Sequence, residues 1–167
     1  MIIEALVLAV FPGLLAYAAA MDLFTMTIPN RVPAGLAAGF VILALVSGMG
    51  LESVLIHLST GLAMLLLGFC LFSFGYIGGG DAKLFAATAL WFGWPDVLTF
   101  VFIATLCGGA LAITLLSVRR VPLPAGLSRV AWLARLHDAS EGAPYGIAIA
   151  AGALILYPDT HLFSLVG

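Results

Sequence analysis

Apolar residues run through this chain in long blocks, and the charged residues between them are so few that they mark the block ends. The charge-free stretches are 5–21, 32–51, 53–80, 84–95, 97–118 and 142–158. None alternates as a half-buried strand would, and five are close to the roughly 20 apolar residues that carry a helix across the hydrocarbon core of a bilayer. The exception, 84–95, has 12 residues, which as a helix reach only about 18 Å. It spans only if its helix starts earlier, near Gly78 to Lys83, and that places Asp81 at or inside the membrane boundary. The expected fold is an all-α integral membrane protein: a bundle of six transmembrane helices forming a single domain over residues 1–167. The stretch 119–141 is broken by Pro122, Pro124 and Gly126. It reads as a loop in which LSRVAWLARLHDA has the spacing of a short helix lying along the interface.

Composition strengthens this picture. Of the residues, 63% are apolar and 8% charged, and the mean hydropathy is +1.22, against about 25% charged in ordinary soluble domains. Six basic residues exclude a nucleic-acid-binding face, and Cys70 and Cys107, isolated in apolar runs, exclude a disulfide framework. The first run lacks the basic n-region of a signal peptide, beginning Met1-Ile2-Ile3-Glu4, so a retained helix is expected.

The charges also orient the bundle. With six spans, Arg31, Lys83, Arg119, Arg120, Arg129 and Arg135 all fall on one face, while Glu4, Glu52, Asp96 and Asp159 fall on the other. The positive-inside rule makes the basic face cytoplasmic and puts both termini outside. Asp22 ends the first run and Asp81 follows the third, so two crossings separate them and they share the basic face. A carboxylate beside hydrocarbon is costly unless paired or hydrated, which makes each a functional candidate. Two such groups brought together would share one proton near neutral pH, the state needed to activate water with one carboxyl and protonate a carbonyl oxygen with the other. The plainer alternative is that Asp22 is a boundary charge and Asp81 a helix cap.

Two local motifs bear on that choice. Gly78-Gly79-Gly80-Asp81 reads G-x-G-D and is trailed by Lys83, and Asp22 is followed after six residues by Pro29-Asn30. With these placements the chain resembles the type IV prepilin peptidases, intramembrane aspartic proteases of the GxGD class, and most of all their short Flp/Tad-pilus type. A lesser match is Pro144-Tyr145-Gly146 at the start of the last run, and the resemblance covers roughly residues 15–155. It implies a hydrolase of the bacterial inner membrane that removes the short basic leader of Flp-type prepilins at the cytoplasmic face, usually just after a glycine. Asp22 and Asp81 occupy the positions of the two catalytic aspartates. The resemblance implies no metal or organic cofactor, and contact with the lipid bilayer and with a pilus assembly machinery.

Around the aspartates, Gly78 and Gly80 remove Cβ atoms and permit close approach of another backbone, or simply break one helix from the next. Lys83 would bias the aspartates or meet a headgroup phosphate, and Pro29 and Asn30 would shape and cap the start of the second span. The chain has no CxxC pair of the kind that larger prepilin peptidases carry in the segment associated with N-methylation, so proteolysis without methylation is expected. Presenilin-type proteases pair G-x-G-D with Tyr-Asp and Pro-Ala-Leu; here Met21 precedes Asp22 and no Pro-Ala-Leu occurs. A proton-coupled transporter using Asp22 and Asp81 as a relay, and a non-catalytic scaffold, are the competing readings. His57, His137 and His161 have no metal-ligand spacing. Trp91, Trp94 and Tyr157 are expected to form an interfacial aromatic belt near the outer face.

Overall fold

The structure is a computed structural model that describes residues 1–124 and 126–166. Among the described residues it is all-helical. Helix α1 covers Ile2–Thr25, with one π-helical stretch at Leu6–Val10. Helices α2 (Arg31–Val46), α3 (Leu51–Ser73), α4 (Gly79–Val118), α5 (Ala131–His137) and α6 (Tyr145–Leu156) follow. Three of them, α1, α3 and α4, are long and apolar enough to cross a membrane, while α2 and α6 are shorter apolar helices.

The turns are set by residues that tolerate a left-handed backbone. After α2, Gly48 (φ 66°) lets the Met49 N–H return to the Ala44 carbonyl at 3.0 Å. After α3, Gly75 (φ 76°) lets the Tyr76 N–H return to Leu71 at 2.9 Å. Both are the glycine stops that satisfy the orphan carbonyls of a last helical turn.

Helix α4 is broken inside its length, at Gly93 (φ 66°, ψ 179°), two residues before Pro95. Proline offers no N–H to the turn before it and its ring crowds the carbonyl four residues back. The break divides α4 into 79–92 and 94–118. His57 of α3 takes up the Leu90 carbonyl just before the break at 2.8 Å; a carbonyl only accepts, so Nδ1 carries the proton.

The first half of α4 is the central element. Leu84, Ala89, Trp91 and Phe92 are buried in it, with Trp91 wholly enclosed, its Nε1 donating to the Leu36 carbonyl at 2.9 Å. Phe11 packs on Trp91 with ring centroids 4.6 Å apart, and on Tyr157 at 4.3 Å. Helix α3 lies along one flank of α4 and α6 along another, and these are the two most extensive helix contacts. The α4–α6 seam is very close: a Cβ on Gly152 would sit 2.7 Å from the Ala104 backbone, the small-residue packing typical of membrane helices. Outward, α3 exposes Leu55, Leu62, Leu66 and Phe69, and α4 exposes Leu98, Phe102 and Leu106. A helix apolar on its outward face as well as its packed one has lipid as its natural surroundings.

The aromatic-belt expectation is corrected for two of its three residues. Trp91 and Tyr157 are core side chains at 0% and 3% exposure, and only Trp94, at 47%, faces outward, its Nε1 donating to the Ser59 hydroxyl. The reason is azimuth: Trp91 lies on the face of α4 that turns into the bundle. The short run 84–95 does extend back as expected, since its helix begins at Gly79.

Candidate active site

Asp22 lies in the last turn of α1 and Asp81 is the third residue of α4. The chain turns sharply after the first: Met26 adopts a left-handed conformation (φ 54°), and its N–H closes on the Asp22 carbonyl at 2.8 Å. That turn sends Thr27, Ile28 and Pro29 back past the start of α4. Ile28 crosses directly over Gly80, where a Cβ would come within 3.3 Å of the Ile28 Cβ. The G-x-G-D glycine thus leaves room for the segment that connects Asp22 to α2.

The two carboxyl groups are both buried, at 5% and 9% exposure, and lie close enough to interact electrostatically. They share the walls of two cavities. One, of about 350 Å³, is also lined by Met26, Tyr76, Gly78, Glu141, Gly142 and Tyr145. The other, of about 240 Å³, is also lined by Thr27, Ile28 and Gly78 to Gly80. Asp81 further borders an apolar groove of about 390 Å³ between α3, both halves of α4 and α6, where Leu67, Phe85, Ala104, Gly108 and Ile149 meet. The pair therefore stands where a polar cavity meets an apolar one.

Each carboxylate is held in the same way. The Gly146 N–H donates to Asp22 Oδ2 at 2.7 Å, and the Gly78 N–H donates to Asp81 Oδ2 at 3.2 Å. In each case the partner is a glycine for want of space. A Cβ on Gly146 would stand 2.8 Å from Asp22 Oδ2, and one on Gly78 would stand 2.9 Å from Asp81 Oδ2. Real Cβ atoms do not approach so closely, so a side chain at either position would push the carboxylate from its place, most severely at Gly146, where Ile28 Cδ1 and Asp22 Cβ also crowd within 3.1 Å. Hydrogen bonds to an ionised acceptor are among the stronger ones. The second oxygen of each carboxyl, Oδ1, has no hydrogen-bond partner among the described residues, and that of Asp81 is fully enclosed. One oxygen of each carboxyl is thus fixed by the backbone and the other is an unpaired acceptor, able to exchange a proton with a molecule brought against it.

The other residues singled out in the sequence surround this pair. Lys83 reaches across from α4 to donate to Asn30 Oδ1 at 2.9 Å, so it ties the Pro29-Asn30 turn to the Asp81 helix. Asn30 occupies the first cap position of α2 but makes no side-chain cap bond; its oxygen is committed to Lys83. Pro29 accepts the Val32 N–H at 2.9 Å and starts that helix. Arg31 bonds the Tyr17 hydroxyl and lies over its ring. Among the described residues, no cluster of three or more His, Cys, Asp or Glu side chains is placed to hold a metal ion.

Sequence reasoning left Gly146 outside the site, although Pro144-Tyr145-Gly146 was visible as a motif; 124 positions separate it from Asp22, and nothing local announces the contact. Met26 and Tyr76 line the cavity without any sequence signal of their own.

No curated protein and no solved structure matches the chain. The type IV leader peptidase family does match, over residues 9–113, a stretch that contains both aspartates, the Pro29-Asn30 turn, G-x-G-D and Lys83 but stops short of Gly146. The match extends over more than half of the chain. The chain belongs to the type IV leader peptidase family and is a prepilin leader peptidase, a hydrolase.

Proposed function

We propose that Asp22 and Asp81 are the catalytic pair, and that they cut prepilin leaders by general acid–base activation of water. The observation that carries this reading is the shared cavity in which each carboxylate has one oxygen fixed by a glycine N–H and the other unbonded. One carboxyl is ionised and takes a proton from the water, whose oxygen attacks the scissile carbonyl carbon. The other is protonated and gives its proton to the carbonyl oxygen. Collapse of the tetrahedral intermediate breaks the C–N bond: the nitrogen takes the proton that the first carboxyl drew from water, and a hydroxyl of the intermediate returns its proton to the second carboxyl, which restores the starting pair. The products are the free leader and a mature pilin with a new amino terminus. No group beyond the two carboxyls and water enters these steps.

In this reading six helical segments cross the inner membrane, the halves of α4 serving as two of them. The basic residues mark the cytoplasmic end and both termini lie outside. The cavity then opens toward the cytoplasm, where a prepilin still carries its leader. The apolar groove beside Asp81 extends toward the lipid, where the hydrophobic part of a Flp-type prepilin would remain. The activity is proteolysis without N-methylation, on a substrate that is subsequently handed to a pilus assembly machinery. Purified full-length chain in proteoliposomes should convert a Flp-type prepilin to leader plus mature pilin, with the mass of each fragment locating the cut. Recovery of intact prepilin only would refute the reading.

A further inference from the structure

From the sequence, Arg119 and Arg135 read only as anchors of membrane orientation. In the structure both grip backbone carbonyls. At the end of α4, Arg119 donates from Nε to the Leu136 carbonyl at 2.9 Å and from Nη2 to the Gly142 carbonyl at 2.7 Å. On α5, Arg135 donates from Nη2 to the Phe24 carbonyl at 2.6 Å, two residues beyond Asp22, and Trp132 meets the Phe24 ring edge-on at 5.3 Å. Between them, the Asp138 carboxylate accepts from the Ser140 N–H at 2.8 Å and from its hydroxyl at 2.7 Å. The segment 131–142 is therefore a strap, pinned to α1 on one side and to the end of α4 on the other. Its last residues form the aspartate cavity wall at Glu141 and Gly142. Only four positions beyond Gly142 comes Gly146, whose N–H holds Asp22. Pro144 stiffens that short connection, since its ring fixes φ.

Resting on the reading of Asp22 and Asp81 as the hydrolytic pair, we propose that Arg119 is a positioning residue. Its two-pronged grip on Leu136 and Gly142 sets where the strap ends, and so where the Gly146 N–H meets Asp22. A guanidinium suits this role, because its planar fork serves two acceptors at once, whereas an ammonium is a single point. Arg119 itself touches neither aspartate, and its effect passes through the backbone of 142–146. The adjacent Arg120 is a matched comparison. It carries the same charge at the same end of α4, yet its exposed side chain makes no hydrogen bond among the described residues. If basic charge alone matters here, the two positions are equivalent; if the grip matters, they are not.

The test uses full-length wild type, Arg119→Gln, Arg119→Lys and Arg120→Gln in proteoliposomes. One readout is steady-state cleavage of a fluorogenic peptide spanning a prepilin leader junction, and the other is hydrogen–deuterium exchange of residues 138–146. Arg119→Gln should lower kcat about tenfold with KM within about twofold, since a slightly misplaced catalytic group slows the chemical step more than binding. It should also speed exchange across 142–146. Arg119→Lys should recover part of the lost kcat, and Arg120→Gln should match wild type within about twofold. Equal effects at 119 and 120, an effect on KM alone, or faster exchange with unchanged kcat would each overturn the positioning role. Unchanged exchange in Arg119→Gln would overturn the grip itself, whether or not the peptide is cut. Faster exchange in Arg119→Gln but not in Arg120→Gln, with a peptide that even wild type leaves intact, would support the grip and count against the hydrolytic reading.

Discussion

Replacing Gly146 by alanine is the sharpest small perturbation available to this site. The added methyl group would lie 2.8 Å from Asp22 Oδ2, 2.9 Å from Ile28 Cδ1 and 3.1 Å from Asp22 Cβ. Ordinary carbon contacts begin near 3.4 Å, so the Asp22 carboxylate must retreat by about 0.6 Å. Retreat toward Asp81 brings two acidic groups closer, and retreat away from it opens the pair. Overpacking of this kind typically costs about 1–3 kcal/mol of stability, and the Gly146 N–H bond to Asp22 is lengthened as well. For catalysis the displacement matters more, because catalytic groups must hold their places to about 0.5 Å and a 1 Å error can cost about a hundredfold in rate. The expected outcome for Gly146→Ala is a fall in kcat of at least about tenfold, with the protein still inserted and its unfolding midpoint modestly lowered. The assay is initial-rate cleavage of a fluorogenic prepilin peptide in proteoliposomes, with thermal unfolding followed on the same samples. Gly13→Ala is the comparison: no atom lies within 4 Å of its Cβ, and activity should be unchanged. A fully active Gly146→Ala enzyme would refute the claim that this glycine positions Asp22.

Gly78 crowds the other carboxyl of the pair. Gly78→Ala places a Cβ 2.9 Å from Asp81 Oδ2 and should likewise lower kcat at least about tenfold in the peptide assay. Gly93→Ala asks an alanine to adopt φ 66°, ψ 179° against the His57 ring. It should destabilise the fold by about 1–3 kcal/mol, read as a lower unfolding midpoint. Asp138, outside the spanning helices, has its carboxyl held below the ordinary value of 3.8, chiefly by the Ser140 hydroxyl and N–H and further by Arg119. A depressed folded value means that the strap turn is favoured at neutral pH and loses that support as pH falls through the carboxyl's folded value. A carbon-13 NMR titration should show Ser140→Ala moving Asp138 back toward the ordinary range.

Much of this arrangement is legible in the sequence, for a physical reason. Charges are so rare that the apolar runs delimit the helices almost unaided, and the short run at 84–95 forces the helix start back to Gly79, beside Asp81. Counting crossings puts Asp22 and Asp81 only at the same end of the expected bundle; that they border one cavity there is seen in the fold. What counting does not reveal is azimuth. Trp91 and Tyr157 sit at the ends of apolar runs, like belt residues, yet face the core, because helices apolar on every side give no sign of which face turns inward. Backbone partners are equally silent: Arg119 and Arg135 grip carbonyls that every residue possesses, so only the fold shows which ones. Gly146 combines both difficulties, since its contribution is an N–H and an absent Cβ delivered across the whole length of the chain. The break in α4 is a milder case. Asp96 marks it in the sequence, but the backbone turns at Gly93, where a positive φ combined with an extended ψ is adopted essentially only by glycine.

The central claim is that Asp22 and Asp81 act together on one water. Its most direct test is co-expression of a Flp-type prepilin with wild type, Asp22→Asn or Asp81→Asn, scoring leader removal on a gel alongside the amount of enzyme inserted in the membrane. Asparagine keeps the shape of the side chain and removes its ability to exchange a proton. The account predicts complete processing by wild type and none by either single variant at equal membrane levels. Full processing by either variant would contradict it.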